Sequence, residues 1–140
     1  MPSQAVAAAV KARLAAKPIA LYDSTTLPIV YPNEKMESEP GFWMQVQYPV
    51  SNEEHIGMAG VGNRVFRENG VIRFVLMATR NSETDYALSI CDTIRNLFRA
   101  KDFGGVTTFS PSPPVIDDDN DNATHFELSM VVEYIYDIFA

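Results

Sequence analysis

The stretch Thr124-His-Phe-Glu-Leu-Ser-Met-Val-Val-Glu-Tyr-Ile-Tyr-Asp-Ile-Phe139 decides the fold. Phe126, Leu128, Met130, Val132, Tyr134, Tyr136 and Ile138 alternate with positions that include Glu127, Ser129, Glu133 and Asp137. Successive side chains of a strand point to opposite faces, so this period of two gives one apolar and one polar face. At about 3.3 Å per residue the segment reaches roughly 50 Å, long for a small domain. Part of it is therefore expected to reach beyond the sheet.

Upstream, Phe42, Met44, Val46 and Tyr48 alternate with Trp43, Gln45 and Gln47, a second strand over Phe42 to Val50. Val71 to Thr79 is rich in β-prone residues and reads as a central strand. The tripeptide Glu68-Asn69-Gly70 ahead of it predicts a tight turn back to Arg64–Arg67, because Asn-Gly tolerates the positive φ such turns demand. Residues 52–63 contain Gly57, Gly60 and Gly62, whose backbone entropy disfavours a strand interior, and predict a flexible hairpin arm.

Two helices complete the inventory. Ser3 is placed to cap the first, which carries Val6, Val10 and Leu14 on one stripe, has Lys11, Arg13 and Lys17 toward its end, and is closed by Pro18. Ser82 is placed to start the second, with Asp85 as its reciprocal cap, and Tyr86, Ile90, Ile94, Leu97 and Phe98 form its apolar stripe. Gly104-Gly105 is expected to release the chain from that helix. Ile19–Tyr22, Leu27–Tyr31 and Val106–Ser110 are short β-prone pieces, and residues 110–123, with three prolines followed by an acidic run, predict an exposed loop. The fold class that follows is α+β: residues 1–140 as a single domain, a mixed and mostly antiparallel β-sheet, and two α-helices packed on one face.

Composition narrows the function. The chain of 140 residues has 11 Lys and Arg against 18 Asp and Glu, a net charge of −7. A surface that grips nucleic acid needs a cation for each phosphate, so this balance disfavours specific nucleic-acid binding. The single cysteine, Cys91, allows no internal disulfide and suits a reducing compartment. Met-Pro-Ser-Gln at the start predicts no signal peptide, and the apolar segment from Ser129 is too interrupted by Glu133 and Asp137 to span a membrane.

Candidate chemistry is sparse. Asp117, Asp119 and Asp121 have the alternate spacing of a calcium loop, but Asn122 stands where glycine is needed and Leu128 where a bidentate carboxylate is needed. A solvated acidic loop is the default reading, and no metal or cofactor is expected. His55 and His125 lie in separate segments without a ligand-spaced neighbour, and no Gly-x-Ser-x-Gly elbow accompanies them. Gly57-Met-Ala-Gly60-Val-Gly62 lacks the Lys-Ser/Thr ending of a phosphate loop. Cys91 shares the apolar side of its helix and reads as core, not nucleophile. Trp43, Phe66, Tyr134 and Tyr136 have the aromatic character of a base-stacking platform without the cations such a platform needs, so core packing or an assembly interface is the expectation. No catalytic residues are expected.

In order and spacing the chain resembles the tail terminator (tail-tube completion) proteins of long-tailed, siphovirus-type phages. The resemblance rests on the Ala-rich opening helix, the strand Phe42-Trp43-Met44-Gln45-Val46, the Gly-rich arm, Gly70–Leu76 followed by the helix Asp85–Phe98, and the Pro-bearing loop before the strand Phe126–Tyr136. It implies a structural virion protein at the tail-neck junction, assembled in the host cytoplasm. Its partners would be its own copies in a hexameric ring, the tail tube protein beneath and the head-completion (stopper) protein above. Such a ring ends tube polymerisation and lets DNA pass unbound. Six copies at −7 each would carry −42, a charge that repels phosphate. The arm residues Glu53, Glu54, Ile56, Met58 and Val61 are the expected assembly contact, and Asp117, Asp118, Asp119 and Asp121 the expected lumen-facing loop. Two alternatives stand beside it: another head-tail joining component of the neck, or a small α+β ligand-binding module or enzyme with a pocket between sheet and helix.

Overall fold

Long alternating segments can satisfy their backbone groups only by pairing with one another, and three of them do so along nearly their whole lengths. A computed structural model of the chain describes residues 3–21, 26–32, 34, 42–58, 64–79, 84–117 and 125–139. In chain order the elements are α1 (Gln4–Ala16), β1 (Ile29–Val30), β2 (Trp43–Met58), β3 (Arg64–Thr79), α2 (Thr84–Phe98), β4 (Asp102–Phe103), β5 (Val106–Thr108), β6 (Val115–Asp117) and β7 (His125–Phe139). The strands form a seven-stranded sheet in the order β1-β2-β3-β7-β5-β4, and β6 pairs with β7 beside β5. Among the described residues only β1 runs parallel to its neighbour; the other pairs are antiparallel. The class is mixed α+β, and the strand Val71–Thr79 lies centrally as its composition predicts.

The core follows from the register. Met44, Leu76 and Leu128 lie in one cross-strand row and Val46, Phe74 and Met130 in the next. All six are buried, together with Ile72, Val132 and Tyr134 further along the same face. From α2, Ala87, Ile90, Cys91, Ile94, Leu97 and Phe98 join this cluster, with the Phe98 ring 4.9 Å from that of Phe74. From α1, Val6, Val10 and Leu14 are almost fully buried. Arg13 donates from Nε to the carbonyl of Leu97, and Thr108 Oγ1 donates to that of Phe98 at 2.6 Å. These two bonds satisfy carbonyls that the end of α2 leaves without an intrahelical donor.

Several expectations are corrected. Glu68-Asn69-Gly70 makes no turn: β3 runs straight through it, with Gly70 opposite Ser51 on one side and Tyr134 on the other. The glycine is there for close approach, since a Cβ would stand 2.3 Å from the Val50 carbonyl oxygen and 2.9 Å from the Tyr134 ring. The arm expected over residues 52–63 is β-strand as far as Met58, paired with Arg64–Asn69, and residues 59–63 lie outside the described residues. Cross-strand hydrogen bonds there outweigh the cost of the one described glycine, Gly57.

Gly104-Gly105 does not end α2. The helix stops at Phe98 and the left-handed residue after it is Ala100, at φ 50°. The glycines, at φ 56° and 83°, instead form the two-residue turn between β4 and β5, a geometry that requires positive φ at both positions. The exposed loop expected over 110–123 contains β6, which pairs Val115 with Ser129 and Asp117 with Glu127; residues 118–123 lie outside the described residues, as does Ser82.

Ser3 precedes α1 as expected, but its side chain makes no capping bond. Its backbone N–H instead donates to the Glu68 carboxylate at 3.2 and 3.3 Å, and the Tyr134 hydroxyl donates to the same group at 2.8 Å. Ser51 Oγ then completes the chain as donor to the Tyr134 oxygen at 3.1 Å. Burial of the tyrosine, with Glu68 beside it, drives its hydroxyl pKa upward, keeping it a donor.

Gly70→Ala is expected to cost about 2–3 kcal/mol, because carbonyl and ring cannot both retreat from the new methyl. Gly57→Ala, with nothing within 4 Å of the new atom, is expected to stay within about 0.5 kcal/mol of the parent. Urea unfolding of the two variants measures both.

Candidate assembly surface

Strand register places the chemistry-bearing side chains, and it keeps them apart. His55 is opposite Phe66, which is opposite Ile138, whereas His125 begins the same strand that Ile138 nearly ends. Thirteen residues of β7 separate the two levels, about 43 Å. The exposed His55 ring lies 5.1 Å from that of Phe66. Asp117 closes β6, and Asp118, Asp119 and Asp121 lie outside the described residues. Among the described residues no group of three or more His, Cys, Asp and Glu side chains is arranged to hold a metal ion.

Cys91 is fully buried on α2, and desolvation pushes its thiol up to about 12, with Asp92 adding to the shift and Arg95 opposing it. Of the aromatic set, Tyr134 is buried on Glu68 and the half-buried Tyr136 packs against the core. Trp43 and Phe66 are partly buried.

What the fold does present is an overhang. Beyond the level of Glu68 and Tyr136, where the pairing of β5 with β7 ends, strands β2, β3 and β7 continue as a short three-stranded ribbon to Met58, Arg64 and Phe139. Bulges at Gln47–Val50 and His55–Gly57 interrupt the β2 side. At the ribbon end Ile56 is 43% and Phe139 71% exposed. Glu53 and Glu54, also expected at a contact, are exposed on β2. Met58 ends that strand; its side chain and the whole of Val61 lie outside the described residues. The ribbon is braced by a cross-strand pair, with Arg67 Nε 2.8 Å from Asp137 Oδ1 and Nη2 3.1 Å from Oδ2. Those hydrogen bonds hold the Asp137 carboxyl below the ordinary aspartate range, with the charge of Arg67 acting in the same direction.

A second apolar surface escaped the sequence reading. Val50, Phe109 and Val131 are 48%, 43% and 37% exposed. They border two adjoining depressions of about 260 and 510 Å³ that share Phe109 and Glu133. The signal was present: Val131 and Ile135, like Phe139, are apolar residues on the side of β7 that also carries Glu127, Ser129, Glu133 and Asp137. Phe109 joins them because its N–H donates to the Glu133 carbonyl at 3.0 Å, a contact over 24 residues of sequence that no local pattern announces.

Two measurements follow. A thiol reagent at about pH 8.5, near the ordinary thiol pKa, is expected to modify Cys91 only as fast as the chain unfolds. Arg67→Gln is expected to raise the Asp137 titration into the ordinary range by carboxyl NMR. Because the folded pKa is depressed, the pair stabilises above the unfolded value, and its contribution is lost as pH falls through the folded one. The stability gap between parent and variant should therefore close on acidification. Compared with protein-family models and with curated proteins, the sequence matches none.

Proposed function

We propose that this chain is a structural subunit of the tail-terminator kind. In this reading copies associate head to tail into a six-membered ring that caps a phage tail tube, stops its growth and receives the head-completion protein. Both helices lie on the sheet face that carries Met44, Phe74 and Leu128. Supporting that layer are the Phe74–Phe98 ring contact and the Ser3–Glu68 hydrogen bond, one from each helix.

The observation that carries the reading is the braced ribbon with its exposed apolar end at Ile56 and Phe139. Apolar side chains grouped at an exposed strand end suit a surface that another molecule covers. A patch at the end of a ribbon differs from the surfaces elsewhere on the chain, and contacts between unlike patches are the kind that close into rings. The net charge of −7 per copy supports free passage of DNA through such a ring.

The test is native mass spectrometry at several ionic strengths, paired with electron microscopy of tail-tube protein polymerised with and without the chain. A hexamer, or binding at tube ends with arrested growth, is expected. A monomer that leaves tube lengths unchanged refutes the reading.

A further inference from the structure

We infer that the outer edge of β2, over Val50–His55, docks an extended, cationic segment of a different polypeptide. The contact is independent of ring formation, because it needs one copy of this chain and one partner strand.

Strand β2 has two flanks, and only one is filled along its length. On the β3 side Val50–His55 pair in unbroken register with residues 71 to 66. On the other side β1 covers Met44 and Gln45 alone. Among the described residues no backbone group of another segment bonds to Val50–His55 from that side. Alternate residues of an antiparallel pair turn their N–H and C=O away from the partner, so this stretch presents a row of donors and acceptors to water. Asn52, Glu53, Glu54 and His55 are all exposed, which leaves the approach open.

The far flank of the sheet is built differently. There β7 receives β6 over Glu127–Ser129 and β5 over Tyr134–Tyr136. Between them the N–H groups of Ser112 and Phe109 donate to the carbonyls of Val131 and Glu133 at 2.8 and 3.0 Å. The chain thus covers its own β7 edge, whereas the β2 edge is left for another strand to complete.

Local geometry fixes where that strand can lie. Register shifts at Gln47–Val50 and His55–Gly57 bracket the stretch, and Pro49, which has no N–H, stands within the first. The regular part between them spans about 20 Å, the length of an ordinary strand.

Charge selects the occupant. Glu53 and Glu54 are consecutive and face opposite sides of the sheet, and among the described residues neither forms a salt bridge. Across the ladder Glu53 meets a further carboxylate, Glu68, and Glu54 meets Arg67, which is engaged by Asp137. Consecutive residues of an incoming strand also face both sides, so Lys or Arg there finds a carboxylate on each face. Two copies joined by their β2 edges would instead gather four glutamates on one short ladder, and like charges across a ladder destabilise it. The occupant is therefore a basic segment of another protein.

The test follows the isotope-labelled full chain by NMR with three short blocked peptides. One alternates threonine and lysine, one alternates threonine and glutamate, and the third is the lysine peptide with its backbone nitrogens methylated. The lysine peptide is expected to bind with a Kd of about 1 mM or tighter and to slow amide exchange within Val50–His55. The methylated peptide keeps the charge but has no N–H to donate, and is expected to bind at least about tenfold more weakly. Combining Glu53→Lys with Glu54→Lys is expected to reverse the choice, so that the glutamate peptide binds about tenfold better than the lysine peptide.

Equal binding of the methylated peptide, or binding that leaves exchange in Val50–His55 unchanged, means attraction by charge alone and overturns the docking edge. No binding of any peptide overturns it as well. Protection of the same amides that grows with chain concentration in the absence of peptide assigns the edge to a second copy and overturns the foreign partner. The hexamer and tube-end measurements are separate from all of these, and their failure leaves the edge standing.

Discussion

The missing Cβ of Gly70 lets the three long strands lie side by side. At that point β3 passes the Val50 carbonyl on one flank and the Tyr134 ring on the other, with space for a hydrogen atom and nothing larger. The ring that fills the space places its hydroxyl on Glu68, two residues away on the same strand. The same carboxylate accepts the backbone N–H at the start of α1, so one glycine ties together strand pairing, a buried tyrosine and the seat of a helix. A buried carboxylate is costly unless its oxygens are occupied, and here the occupants are the N–H just ahead of a helix and a phenol kept protonated by its surroundings.

Continuous pairing has a consequence for shape. A hairpin turning at Asn69-Gly70 would have folded the apolar residues back over the core. Uninterrupted strands instead carry them outward and leave Phe139 and Ile56 at the end of a ribbon that the Arg67–Asp137 pair keeps in register. The molecule thus separates a body, stabilised by burial, from a projection stabilised by backbone pairing. On the projection Ile56 and Phe139 remain largely exposed, and water is a poor partner for them.

That geometry also bears on chemistry. Of the side chains singled out from the sequence, His55 lies on the ribbon, Cys91 in the core and His125 at the opposite strand end. Antiparallel pairing over such lengths spreads side chains along a line; convergence would need loops brought together at one end of the sheet. The described residues that do converge meet in the core, around Phe109 and at the Glu68 carboxylate, which gathers Ser3 and Tyr134.

Much of the fold was legible from residue order. The alternation in Phe42–Val50 and Phe126–Ile138 and the stripes Val6–Leu14 and Ile90–Phe98 report which side of each element leaves water, a local property that needs no partner to be read. Glycine was harder, because a residue without a side chain suits a turn, a helix end or a tight crossing equally well. Gly70 and Gly104-Gly105 were each assigned the wrong one of these roles, since the choice depends on Tyr134, Val50 and the β4–β5 pairing. The exposed surfaces divide the same way. Ile56, Glu53 and Glu54 could be singled out from the sequence, whereas the groove of Val50, Phe109 and Val131 exists only because segments distant in sequence are brought together. Sequence alone determined which faces are apolar; tertiary structure decided which strands meet, because hydrogen-bond register is a relation between segments and is contained in neither of them.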